Sequence, residues 1–316
     1  MNPQLGKALP AVVALGGGHG LAASLQALRH LTDRVTAVVT VADDGGSSGR
    51  LREEFDILPP GDLRMALAAL CGDNPDGRQW ADVLQSRFPG TGSLAGHSIG
   101  NLLIAGIWQQ LGDPVAGLDM VGRLLDIQGR VLPMAAVPLG IEADVVGGDP
   151  DHPEEVARVV GQANVATTPG FVREIRLIPP QPPASAEAVA ALQQADAIIL
   201  GPGSWFTSVI PHLLVPELAA SLISAPACRI LTLNLVPAHE TDGYSAAAHL
   251  DVLAAHAPDL RLDAILCDPT FVDDQLAARA AAFGADLVVT AVRSNDGSPR
   301  HDVLRLASAY ADLLGG

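Results

Sequence analysis

The sequence predicts an α/β fold: a Rossmann-like, doubly wound, mostly parallel sheet in three α/β/α layers. Three observations carry this reading. Residues 10–15 are a short apolar run that stops at Gly16-Gly17-Gly18-His19-Gly20. Apolar residues then recur at 21, 25, 28 and 31, the spacing of a helix with one buried stripe. Residues 35–41 (VTAVVTV) are almost continuously β-branched, as in a strand covered on both faces. Strand, helix and strand at this spacing make a βαβ unit with a right-handed crossover.

The later elements follow from the same rules. Gly61-Asp62 opens a helix with Leu63, Leu67 and Leu70 on one face, and Asp62 reads as its N-cap. Residues 80–88, 98–111 and 115–127 read as helices, and 131–137 and 141–146 as strands. The polar, Gly- and Pro-rich stretch 147–170 reads as an excursion with a short helix at 154–160, followed by a half-exposed strand at 172–178. Residues 179–183 (PPQPP) are a stiff connector. Alternation then resumes, with helix 186–194, strand 197–200, a second glycine turn Gly201-Pro202-Gly203-Ser204 leading into a helix, and strands at 229–235, 262–267 and 286–292 separated by helices at 245–256 and 273–283. A helix at 302–314 closes the chain. The expected organisation is one α/β domain over 1–316 with an inserted subdomain at 129–183.

Composition narrows the function classes. Hydrophobic residues make up 48% of the 316 residues and aromatics only 3%, so the core is built from small aliphatic side chains and global disorder is excluded. A net charge of −16 repels a phosphate backbone, which argues against a nucleic-acid binder. Three cysteines without CxxC spacing fit buried thiols in a reducing compartment rather than a disulfide framework. No apolar run approaches the ~18 residues of a membrane helix. Residues 8–15, behind Lys7, run into the glycine turn and read as a strand rather than a signal peptide, so no membrane insertion and a cytoplasmic location are expected.

In an open parallel sheet, ligands bind beyond the carboxyl ends of the strands. The turn Gly16, Gly17, Gly18, His19, Gly20 lets backbone approach an anion at a helix N-terminus. Its frame Gly18-x-Gly20-x-x-Ala23 also meets the relaxed dinucleotide pattern, which supports an oxidoreductase only weakly. Asp43 and Asp44, in the loop running to Arg50, can accept ribose hydroxyls or hold Mg²⁺ through water. Arg64 opposes the dipole of its helix and reads as an anion contact. His97 and Asn101 open an apolar helix. Gly201, Gly203 and Ser204 repeat the first turn's logic, with Thr207 and Ser208 as further donors. Tyr244 can stack on a base or bond a phosphate, and Arg300 supplies a cation. Lys7 is the single lysine, and no Walker motif, GxSxG elbow or HExxH is present.

Taken together, GGGHG at 16–20, VADDGGSSGRLR at 41–52, PPGDLR at 59–64, HSIGNLL at 97–103, ADAIILGPGSWFTSVIPHLLV at 195–215 and ETDGYSAAAH at 240–249 resemble the gluconeogenesis-factor family. That family shares its fold with 2-phospho-L-lactate transferase, an enzyme of coenzyme F420 synthesis that uses Mg²⁺. The resemblance implies a cytoplasmic protein that binds UDP-N-acetylglucosamine and supports cell shape and cell-wall precursor flow during gluconeogenic growth. It also implies a protein partner in wall synthesis and a homo-oligomer. No cofactor would be required, Mg²⁺ at Asp43 and Asp44 being the exception. The alternative is a Mg²⁺-dependent transferase of a nucleotidyl or phospho-organic group, with Asp43 and Asp44 catalytic; non-catalytic binding is favoured. Thr40-Val41-Ala42 departs from the transferase's Asn-Thr lead-in. His19 for Thr, His212 for Asn and Pro237-Ala238-His239 for Gln-Pro-Gly depart from the family pattern, while Arg300 matches it.

Overall fold

A computed structural model of the chain describes residues 9–148, 151–152, 154–237 and 239–315. Ala238, within the departure at 237–239, lies outside the described residues, as do Lys7 and the start of the segment weighed as a leader.

The first apolar run becomes β1 (Val12–Gly16), wholly buried, and the glycine turn leads into α1 (Gly18–Leu28). The β-branched run is β2 (Val35–Val39). Five helices follow: α2 (Gly46–Phe55), α3 (Pro60–Leu70), α4 (Pro75–Gln85), α5 (Ile99–Leu111) and α6 (Pro114–Leu125). Then come β3 (Arg130–Pro133), β4 (Gly140–Val146), β5 (Val156–Val160), α7 (Gln162–Ala166), β6 (Phe171–Ile178) and α8 (Ala186–Gln193). The second half alternates as β7 (Ala197–Leu200), α9 (Pro216–Ser224), β8 (Cys228–Thr232), α10 (Ala246–His256), β9 (Ala264–Cys267), α11 (Leu276–Ala282), β10 (Asp286–Val289) and α12 (Val303–Gly315).

Seven strands form one parallel sheet in the order β10-β9-β8-β7-β1-β2-β3. The order reverses between β1 and β7, which makes that boundary the switch point where a crevice opens. β5, β4 and β6 form a separate antiparallel sheet within the stretch expected as an excursion, whereas β3 belongs to the main sheet.

Two local expectations need correction. Residues 154–160 were expected as a short helix, but 156–160 are the edge strand β5, whose ladder to β4 runs from Glu142–Val160 to Val146–Val156. A VARVV run has weak helix propensity, and pairing with β4 decides it. The helix expected from 80 begins at Pro75, because Asn74 caps it by accepting the Gly77 N–H at 2.7 Å and Pro75 occupies the first turn.

The last helix is tied to the switch point by a buried hydroxyl. Tyr310 on α12 bonds the hydroxyls of Ser24 and Thr232, each at 2.9 Å, and Ser24 also donates to the Gly201 carbonyl at 3.1 Å. Tyr310→Phe leaves the ring packed but strips both hydroxyls of a partner. It should lower the unfolding free energy by about 1–2 kcal/mol in a denaturant titration. All three cysteines are free, Cys71 and Cys267 buried and Cys228 half-buried. Among the described residues no single helix is long and apolar enough to cross a membrane. One bent pair, Trp205–Leu213 with Pro216–Ser224, passes by composition, but Trp205, Phe206, Val209 and Ile210 are core residues.

Candidate functional site at the switch point

The two glycine turns touch. A Cβ on Gly20 would lie 2.2 Å from the Pro202 carbonyl oxygen and 2.6 Å from the Gly203 Cα. One on Gly17 would lie 2.5 Å from the Asp62 carboxylate and from the Thr40 methyl. Neighbouring backbone and side chains therefore demand these glycines, whether or not a ligand is bound. Asn234, just after β8, clasps the second turn: its Oδ1 accepts the Gly203 N–H and its Nδ2 donates to the Gly203 carbonyl, both at 2.9 Å.

Two cavities meet at this junction and share His19, Gly20 and Ser204. The larger, a cleft of about 870 Å³, carries Arg64, Arg87 and Arg300 against one carboxylate, Asp82. The smaller, about 300 Å³, is bounded by Gly17, Gly18, Thr207, Ser208 and the carboxylates of Asp43 and Asp62. Positive charge thus collects on one side of the glycine turns and negative charge on the other.

The paired aspartates diverge. Asp43 faces the small pocket, and its Oδ1 accepts the Gly45 N–H at 3.0 Å. Asp44 turns away: its two oxygens accept the N–H groups of Gln162 and Ala163 at 2.9 Å each, at the start of α7. It thereby holds Gln162 against the small pocket. Asp62 is not the N-cap of its helix, because Pro59 occupies that position without a side-chain bond. Its carboxylate instead takes the backbone N–H of Gly18, and desolvation, reinforced by the Asp43 charge, pushes its pKa up to about 7.

Other expected contacts act in the frame around the cavities. His97 Nδ1 meets Ser47 Oγ at 3.0 Å, and Asn101 Nδ2 donates to Ser47 and Ser48 at 3.0 and 3.4 Å, which pins the first turn of α2, just after Asp44. Burial, with help from Arg50, lowers the His97 pKa. Arg50 donates to the carbonyls of Ser93 and Ala95. Tyr244 is buried among Phe171, Phe206 and His249, stacked on Phe171 at 4.9 Å, and its hydroxyl donates to the Val172 carbonyl. Thr207 reaches Glu240 at 3.4 Å. His19 and Arg300 are exposed and line the cleft.

Four contributors were not legible as site residues. Asp62 has the local signature of a cap, and Asn234 is a lone polar residue between apolar neighbours. Arg87 was read as part of a helix over 80–88, but α4 ends at Gln85 and Arg87 lies just beyond it, in a stretch with no motif. Glu240, 1% exposed, accepts the Phe206 N–H at 2.9 Å and braces the segment following the second turn. Its signal was an acidic residue after a buried strand, and its partner is 34 positions away. Burial pushes its pKa up to about 7.

Among the described residues no three His, Cys, Asp or Glu side chains converge as a metal cage. Asp43 and Asp62 fit Mg²⁺ only where phosphate oxygens or water complete the octahedron.

The family model of 2-phospho-L-lactate transferase CofD matches residues 12–302. The chain belongs to that family. Within it, the similarity is to proteins whose names contain "gluconeogenesis factor". A Mycobacterium tuberculosis relative is 55% identical over 303 residues, spanning 94% of this chain and 88% of its own. A Bacillus subtilis relative is 35% identical over 326 residues, spanning 96% and 98%. A crystal structure of a Bacillus halodurans protein superposes with a TM-score of 0.84 at 31% identity, covering 98% of this chain and all of the other. The resemblance to the gluconeogenesis-factor family, with its fold shared with 2-phospho-L-lactate transferase, and the α/β fold are therefore borne out.

Proposed function

We propose that this CofD-family chain is a gluconeogenesis factor: a cytoplasmic UDP-N-acetylglucosamine-binding regulator of cell-wall precursor flow and cell shape. The carrying observation is the apposition of the two glycine turns at the β1/β7 switch point, opening onto a cleft with three arginines. Backbone N–H groups at the start of α1 and after β7 suit a diphosphate, and the cleft has room for a nucleoside and a sugar. The names of the Mycobacterium tuberculosis and Bacillus subtilis relatives support the gluconeogenesis-factor part of this reading. The regulatory output would pass to a protein partner in wall synthesis, and a homo-oligomer is compatible with it. A dinucleotide oxidoreductase rests on the frame Gly18-x-Gly20-x-x-Ala23 alone, and packing against Pro202 already demands the glycine at position 20, so that frame does not discriminate it from the other readings.

A second reading, Mg²⁺-dependent group transfer, is favoured by Asp43 and Asp62 sharing the small pocket. Any Mg²⁺ would then rest on this pair, since Asp44 is committed to α7. Calorimetric titration with UDP-N-acetylglucosamine, GDP and NAD, each with and without Mg²⁺, separates the readings. Binding of the intact sugar nucleotide without breakdown supports the regulator. Preference for GDP with Mg²⁺, or consumption of the nucleotide, supports the transferase and overturns the regulator.

Asp62 gives the binding a pH signature. Its proton is held up to about pH 7, so below that pH the small pocket carries one negative charge fewer beside an anionic ligand. Without Mg²⁺, affinity should fall severalfold between pH 6 and pH 8, and Asp62→Asn should flatten the profile. A slope retained in Asp62→Asn would assign the titration elsewhere.

A further inference from the structure

The glycine turns leave one wall of the large cleft unexplained. Arg64 on α3 is only 5% exposed, although a guanidinium is costly to bury. Its stem lies against α5, where a Cβ on Gly100 would come within 2.8 Å of Arg64 Cγ and 2.9 Å of Cδ. The absence of a side chain at Gly100 is thus what lets this arginine lie where it does. Arg64 Nη1 donates to Gln85 Oε1, but its buried Nε has no acceptor. Among the described residues Arg64 has no ion-pair partner.

A second cation stands beside it. Arg87 lines the same wall, held by its bond to the Gly96 carbonyl at 2.7 Å. Burial and the Arg87 charge lower the Arg64 pKa to about 10, while Asp62 and Asp43 act on it attractively. Asp82 is the one carboxylate lining the cleft itself. Two guanidiniums lining one cleft, Arg87 exposed and Arg64 buried and short of an acceptor, match a bidentate anion.

We propose that Arg64 and Arg87, with Gln85, form a second anion seat in the cleft, apart from the glycine turns. It takes a carboxylate or phosphate that is either borne by the sugar of the bound nucleotide or free. This rests on the nucleotide-sugar reading only in its first form. The preferred occupant would be an acidic sugar nucleotide rather than a neutral one.

The test compares UDP-N-acetylglucosamine with UDP-N-acetylmuramic acid, which adds one lactyl carboxylate to the same sugar. It adds inorganic phosphate as a third probe, read by the ¹⁵Nε resonance of Arg64. A sugar-borne anion predicts about tenfold tighter binding of the muramic derivative to the wild type, and a ratio within about twofold in Arg87→Gln. A free anion predicts equal nucleotide affinities and a saturable phosphate shift of Arg64 Nε that Arg87→Gln abolishes. The seat is overturned if the nucleotides bind equally and phosphate leaves Arg64 Nε unmoved, or if either response survives in Arg87→Gln. If neither nucleotide binds, the nucleotide-sugar reading fails, and the phosphate measurement alone decides the seat.

Discussion

Gly20→Ala should separate the two glycine turns and cost more ligand affinity than other single-atom changes at the switch point. The added methyl would sit 2.2 Å from a backbone oxygen on Pro202, and neither turn has a flexible side chain that could yield. The first turn is fixed by α1 and the second by its clasp on Asn234. Overpacking of this kind costs about 1–3 kcal/mol of stability. Misplacing the converging N–H groups should lower nucleotide affinity by roughly 100-fold, about 2.7 kcal/mol. Gly106→Ala on α5 is the matched control. Nothing lies within 4 Å of its would-be Cβ, so it should leave binding intact and raise stability by up to about 1 kcal/mol. Calorimetric titration and denaturant melts of both variants check the pair, and equal binding by Gly20→Ala would dissociate the turns from the ligand.

Glu240→Ala should destabilise the fold by roughly 2–4 kcal/mol at pH 5, and by less at pH 8. Removal strands the buried Phe206 N–H and opens a cavity beneath the segment after the second turn. The pH dependence follows from linkage. The folded pKa is raised from 4.5 to about 7, so between those values the folded chain keeps a proton that the unfolded chain releases. Glu240 therefore contributes stability that is full below pH 4.5 and lost as pH rises through 7, on the order of 3 kcal/mol. Glu240→Gln keeps an acceptor for Phe206 and should flatten this part of the stability profile. Urea titrations from pH 4.5 to 8 on the three proteins test the assignment; an unchanged slope in Glu240→Gln would refute it.

The sequence carried the architecture because the physics there is local and periodic. Apolar runs, a β-branched run and helical stripes specified β1, α1 and β2, and both glycine turns were visible as strand-to-helix breaks. β5 was misread because its residues bury little, so only the partner strand β4 decides its conformation. Positions were easier to read than directions. Asp43 and Asp44 are adjacent, yet one faces a pocket and the other caps α7, 118 residues away in the chain. Asp62 was visible as a polar residue in a first turn, but its bond to the glycine turn depends on tertiary contact. Arg64 and Arg87 lie 23 positions apart in the sequence. Their meeting depends on α3, α4 and α5 packing around Gly100, which no motif encodes.

A crystal structure of the chain with UDP-N-acetylglucosamine would show whether the two glycine turns hold the diphosphate. Diphosphate oxygens should lie within hydrogen-bond distance of the backbone N–H groups of His19 and Gly20 in the first turn and Ser204 in the second, with the sugar in the arginine-lined cleft. The N–H groups of Gly18 and Gly203 are already taken by Asp62 and Asn234. A nucleotide seated instead in the groove at the opposite ends of the strands, lined by Arg34 and Arg130, would contradict this placement.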